Sequence, residues 1–210
     1  MARMTALGEE ASNRREAILE ASLVLFAAHG VDSASMSDIA RAVGITKATL
    51  YHYFAGKIEI LEELIASSHY STDELAETMS WDAPLIARVT RVAMDYIDLI
   101  CTKPDLGHIL LRESLGNAKH SATDEIKERF VRRYMSRIEV MEACLRNEPD
   151  LGDVPDAQIR LFAEILFDSI SLFWLRRVLV QREATTENER HEYAQGVVRW
   201  LLRSEGLIEA

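Results

Sequence analysis

From Leu161 to Val180 the chain reads LFAEILFDSISLFWLRRVLV, a stretch that is apolar on nearly every side of a helical wheel. Such a helix has no wet face and must be covered twice, by other parts of its own chain and by either a larger core or a second subunit. Glu164, Asp168, Arg176 and Arg177 interrupt the run at depths where each charge is costly in lipid, which argues against a membrane span. The last helical pattern supplies one cover, because Tyr193, Val197, Trp200 and Leu201 form an apolar stripe at the right spacing. Helical spacing recurs along the rest of the chain, and no strictly alternating run bounded by turn residues occurs. The expected fold class is therefore all-α.

Caps and breakers divide the chain further. The first helix is expected from Ser12 to His29, with Ile18, Ala21, Leu25 and Phe26 on one face and Gly30 as a left-handed cap. Ser35 opens Ser-Met-Ser-Asp, a capping-box spacing with Asp38 in the place usually given to Glu, and starts a short second helix. A third begins after Thr46, and a longer one is expected from Lys57 towards Leu75, carrying Ile58, Leu61, Leu64 and Ile65. Thr78 to Pro84 reads as a connection with Asp82 as the cap of the next helix. Five further helices are expected at about 84–102, 104–115, 122–146, 155–183 and 188–203.

Among 210 residues, 34 acids against 24 Lys and Arg give a net charge of -10, which disfavours nonspecific coating of nucleic acid or anionic membrane. A local basic face can still bind phosphate if the acids lie elsewhere. The opening MARMTALGEEASNRREAILE turns charged before any apolar run reaches the length of a signal core, so a cytoplasmic location is expected. Cys101 and Cys144 sit in apolar helical patterns, where a thiol acts as a small hydrophobe. Neither CxxC nor HExxH occurs, and no metal or cofactor is expected.

The segment Ile39 to Phe54 reads IARAVGITKATLYHYF. Ile39, Val43, Ile45 and Leu50 can meet only if two helices cross closely, which requires a small residue at the crossing and a sharp reversal. Ala40 and Gly44 meet those demands, a spacing that matches a DNA-binding helix-turn-helix. In the second helix Leu50 and Phe54 point inward, while Lys47, Ala48, Tyr51 and His52 fall on the other side. No Asp or Glu occurs from Ile39 through Gly56, so phosphate can approach this face. A cation at Lys57 opposes the macrodipole of the helix it opens, which points to an external anion beside it.

The stretch MSDIARAVGITKATLYHYFAGKIEIL resembles the DNA-binding region of the TetR family of bacterial transcriptional regulators, with the match running from about Arg15 to Leu64. The resemblance implies a three-helix head at 1–56 and a larger helical domain at 57–210 that binds an effector and dimerises. Carried over, Lys47, Ala48, Thr49 and Tyr51 would face base edges or nearby phosphates of double-stranded operator DNA. Ser35, Ser37, His52, Tyr53 and Lys57 would clamp the backbone.

In this family the last two long helices form a four-helix interface between two copies, which implies a homodimer through Ile170, Phe173, Trp174, Val197, Trp200 and Leu201. The helices between head and interface would surround a small-molecule effector, with Met94, Ile97, Cys101, Leu110, Leu111, Arg112, Phe130, Tyr134, Ile138 and Phe162 as candidate lining, together with Trp81 and Trp174. Glu113, Glu164 and Asp168 would suit a cationic ligand and Arg112 a carboxylate or an acyl thioester. The expected function is a repressor released by an apolar or amphipathic molecule, with an activator or a ligand-dependent DNA binder as the alternatives. For an enzyme, His108, Glu113 and Cys101 are the candidate groups, but no nucleophile, base and orienting residue occur at a useful spacing, so no catalytic role is expected.

Overall fold

The computed structural model describes the backbone of residues 2–66, 70–102, 104–115, 121–180 and 183–204, and side chains at 12–66, 70–102, 104–109, 128–177 and 183–203. Ten α-helices and no strands occur among the described residues. They are α1 (Ala2–His29), α2 (Met36–Val43), α3 (Lys47–Tyr53), α4 (Lys57–Ala66), α5 (Thr72–Met79), α6 (Leu85–Thr102), α7 (Pro104–Leu115), α8 (Ser121–Arg146), α9 (Asp156–Trp174) and α10 (Glu187–Ser204). The chain divides into two compact units, Met1–Ser68 with Asp105–Lys127, and His69–Pro104 with Glu128–Ala210.

In the first unit α1 buries Ile18, Ser22 and Phe26, one face at i, i+4 and i+8. Ser22 is polar but satisfied, because its hydroxyl donates to the Ile18 carbonyl at 2.7 Å. Gly30 ends α1 at φ 87°, as its sequence position requires. The core continues through Ile39, Ala40, Leu50 and Phe54 and takes in Ile60, Leu61, Leu64 and Ile65 of α4, with Leu106 and Ile109 of α7. The apolar face of α4 thus carries this unit past the boundary expected after Gly56.

The helix expected from Lys57 towards Leu75 is two helices. α4 ends at Ala66, and α5 starts from a complete capping box in which the Ser71 hydroxyl accepts the Glu74 amide at 3.1 Å and Glu74 accepts the Ser71 amide at 2.9 Å. α5 continues through Met79, so the connection to α6 is shorter than Thr78 to Pro84. The first carbonyl of α6 is that of Pro84, which accepts from Ala87 and Arg88, so Pro84 and not Asp82 holds the cap position. α1 begins at Ala2 and not at Ser12. The helix expected at 155–183 is α-helical through Trp174 and then widens to a π-helix over Leu175–Val180.

The second unit is built around α6, which packs on α5, α9 and α10. Val89, Val92, Ala93, Tyr96 and Ile97 of α6 meet Ile159, Phe162, Ala163, Leu166, Phe167 and Ile170 of α9, and Ala194, Val198, Leu201 and Leu202 of α10. A bidentate pair locks one end, with Arg88 donating to both carboxylate oxygens of Glu148 at 2.7 and 2.6 Å and to the Met79 carbonyl at 2.6 Å. Both side chains are largely buried, so breaking the pair would leave a charge without its partner.

The cysteines form no disulfide. Burial pushes the Cys101 thiol up to about 11, against a hydrogen bond from Thr185 that works the other way. At pH 8 only about one Cys101 in a thousand is then thiolate, against roughly one in four for an ordinary thiol. Iodoacetamide should accordingly modify Cys101 in the folded protein about a hundredfold or more slower than a free thiol, and mass spectrometry of a time course checks it. Equal rates would contradict the burial of this side chain.

Candidate nucleic-acid interface

The pair α2 and α3 is assembled by caps. Ser35 holds the start of α2 through a reciprocal box, accepting the Asp38 amide at 3.1 Å and donating its own amide to Asp38 at 3.2 Å. The Ser35 hydroxyl also donates to the Asp38 carboxylate and holds it below the usual carboxylate range. Gly44 closes α2 at φ 73°, its amide meeting the Ala40 and Arg41 carbonyls while Ile45 bonds back to Ala40 at 2.9 Å, a Schellman turn. A Cβ at Gly44 would meet nothing within 4 Å, so Gly44→Ala is expected to cost about 1–2 kcal/mol through the left-handed backbone alone, measurable by urea unfolding. A neutral substitution would contradict that geometry.

Thr46 caps α3 by accepting the Thr49 amide at 3.1 Å, and the two hydroxyls also bond to each other at 2.8 Å. Leu50 and Phe54 are buried, which turns Lys47, Ala48, Tyr51 and His52 to solvent. Tyr51 is 48% exposed, too open for a packing aromatic, and the Lys47 ammonium lies 5.8 Å from its ring centre. Tyr53 is half-buried against the core and stands edge-on to His52, with ring centres 5.7 Å apart. Ser35 is exposed and Ser37 half-buried at the start of α2. Arg41 is exposed and paired to Asp38 at 3.0 Å.

The Lys57 ammonium donates to the carbonyls of Val31 at 2.7 Å and Asp32 at 2.9 Å, so the turn after α1 holds this side chain by two of its three donors. Sequence reasoning missed Arg15, which donates to the Tyr53 carbonyl at 2.8 Å and to Glu63 at 2.7 Å.

In the second unit Ile97, Ile138 and Phe162 are buried within the core, while Met94, Cys101 and Tyr134 lie at its margin and Phe130 is half-buried. The side chains of Leu110, Leu111, Arg112 and Glu113 lie outside the described residues. Trp81 is exposed. Glu164 pairs with Arg160 at 3.0 Å, and Asp168 accepts from the Tyr134 hydroxyl. Of the expected interface residues, Ile170, Phe173 and Leu201 are buried in their own chain, within the core that α6, α9 and α10 share; Trp174 and Val197 are half-buried and Trp200 is 64% exposed.

Asp98, Glu187 and His191 bring donor atoms within 4.8 Å of one another. Asp98 already accepts from Arg190 at 2.5 Å and faces one ring nitrogen of His191 at 2.6 Å, while Glu187 faces the other nitrogen at 4.0 Å. Asp98 of α6 is thus engaged by Arg190 and His191 of α10, a polar network that joins the two helices.

Residues 18–64 match the family model described as bacterial regulatory proteins, tetR family. The chain is 37% identical over 97 residues to the uncharacterized HTH-type transcriptional regulator TtgW of Pseudomonas putida, an alignment covering 44% of this chain and 71% of that one. The same identity and length relate it to SrpR of Pseudomonas putida, where the alignment covers 44% of this chain and less than half, 45%, of the relative. The crystal structure of NalD, the secondary repressor of a multidrug efflux pump in Pseudomonas aeruginosa, shares the fold with a TM-score of 0.72 at 20% identity, covering 93% of this chain and 96% of NalD. With its cap-built helix pair and these relatives, the chain belongs to the tetR family of bacterial transcriptional regulators.

Proposed function

We propose that the protein is a homodimeric repressor that holds a near-palindromic operator and releases it when an apolar or amphipathic small molecule binds the second unit. The observation that carries this reading is the outward face of α3. Lys47, Ala48, Tyr51 and His52 are exposed there with no carboxylate in the helix, above Leu50 and Phe54 anchored in the core. Lysine can donate to guanine, alanine can touch a thymine methyl, and hydroxyls suit phosphate oxygens.

The dimer reading is supported by large apolar side chains left exposed on the last two helices, Leu161 and Leu172 on α9 and Trp200 on α10. A two-fold pair would set two heads at successive major grooves, about 34 Å apart. Release by a ligand requires different affinities for the DNA-bound and free states, and the coupling has to be reciprocal. That NalD is named a repressor supports the sign of the response. In vitro selection from a random duplex pool, with molar mass by light scattering, tests the reading. A two-fold symmetric motif bound by a dimer is expected; a pool that converges on no motif would sink it.

A further inference from the structure

We propose that Arg15 is a positioning residue that sets the placement of α3 for base reading, an inference that rests on α3 being the DNA-reading helix. Arg15 sits on α1, yet its guanidinium meets three different groups. One nitrogen donates to the Tyr53 carbonyl at 2.8 Å, in the last turn of α3. Two others engage both carboxylate oxygens of Glu63 on α4. Its Cζ lies over the Phe54 ring, 4.1 Å from the ring centre.

Each contact has a physical reason to hold α3 in place. The last carbonyls of a helix have no intrahelical donor, and a cation there also meets the negative end of the macrodipole. Phe54 is the buried anchor immediately after α3, so stacking over it fixes the same end from a second direction. Glu63 holds the fork in its plane, and only a rigid planar donor can serve carbonyl, carboxylate and ring together.

The Arg15 and Glu63 side chains remain 36% and 31% exposed, and an ion pair that open adds little to global stability. Its effect is therefore on placement. Three neighbouring bonds fix the start of α4, Ala55 donating to Glu59 at 2.5 Å and Lys57 to the Val31 and Asp32 carbonyls. Arg15 joins that frame to the end of α3. A shift of α3 would cost base contacts, which depend on direction, far more than phosphate contacts, which depend mainly on charge.

The test uses the full chain with two probes, the duplex enriched by wild-type selection and its scrambled counterpart. Arg15→Lys keeps the charge and loses the fork. It should weaken binding to the enriched duplex roughly tenfold or more, and to the scrambled duplex less than about threefold, with the salt slope unchanged. Glu63→Gln, which leaves one oxygen to accept, should shift the same ratio in the same direction by less, and it carries the test if Arg15→Lys fails to fold. A preference ratio unchanged in a folded variant would overturn the role of Arg15. A wild-type protein without any sequence preference would instead overturn the reading of α3, and this inference with it.

Discussion

Replacing both Lys47 and Tyr51 with alanine should reduce affinity for the selected duplex on the order of 100-fold while leaving the protein folded and its molar mass unchanged. The size follows from losing two groups on the face argued to meet the bases, one of them a cation. The selectivity follows from exposure: both side chains point to solvent, their ring-to-ammonium contact is with each other, and neither enters the core. Alanine is also the better helix former, so α3 itself should not suffer. Retained affinity in the double variant would remove α3 from the interface. Lost dimer mass would mean that the substitution acts through folding instead.

Phe54→Ala should have the largest effect on stability, about 3–5 kcal/mol, because it empties a fully buried aromatic site. The ring is 1% exposed within the core that joins α1, α2, α3 and α4, and the Arg15 guanidinium rests on it. Its removal leaves a cavity and takes away one of the three contacts that hold Arg15. In hydrogen exchange the amides of α2 and α3 should lose protection first, with the amides of α6, α9 and α10 much less affected, since the two units have separate cores. A loss below about 1 kcal/mol would mean that the site collapses without penalty, contrary to its packing.

The α2–α3 pair was legible because its determinants are local. Ser35 and Asp38, Gly44, and Thr46 with Thr49 lie within a few residues of one another, and each imposes a backbone geometry that side-chain chemistry alone predicts. Arg15 was not legible because Tyr53 and Glu63 lie 38 and 48 residues away, and only the packing of α1 against α4 brings them together. The break between α4 and α5 had a readable signal in Ser71 and Glu74, overridden by an apolar pattern that continues through Leu75. For α9 the difficulty is different. A helix apolar on nearly every side does not say which side its own chain will take, and its own core takes Ile170 and Phe173, the latter against Tyr193 of α10, while Leu161 and Leu172 stay exposed. In α10 the inward positions Ala194, Val198, Leu201 and Leu202 are offset from the expected stripe, which leaves Trp200 outside. For Lys57 the hydrogen-bond partners were not legible either, since they are the carbonyls of a turn 25 and 26 residues earlier.

The most direct test of sequence-specific DNA reading is a titration of the selected duplex and its scrambled counterpart over a series of salt concentrations. Both affinities should fall steeply as salt rises, because released counterions drive phosphate binding, while the preference for the selected duplex stays at roughly 1,000-fold or more. Equal and weak binding to the two duplexes at every salt concentration would contradict the account.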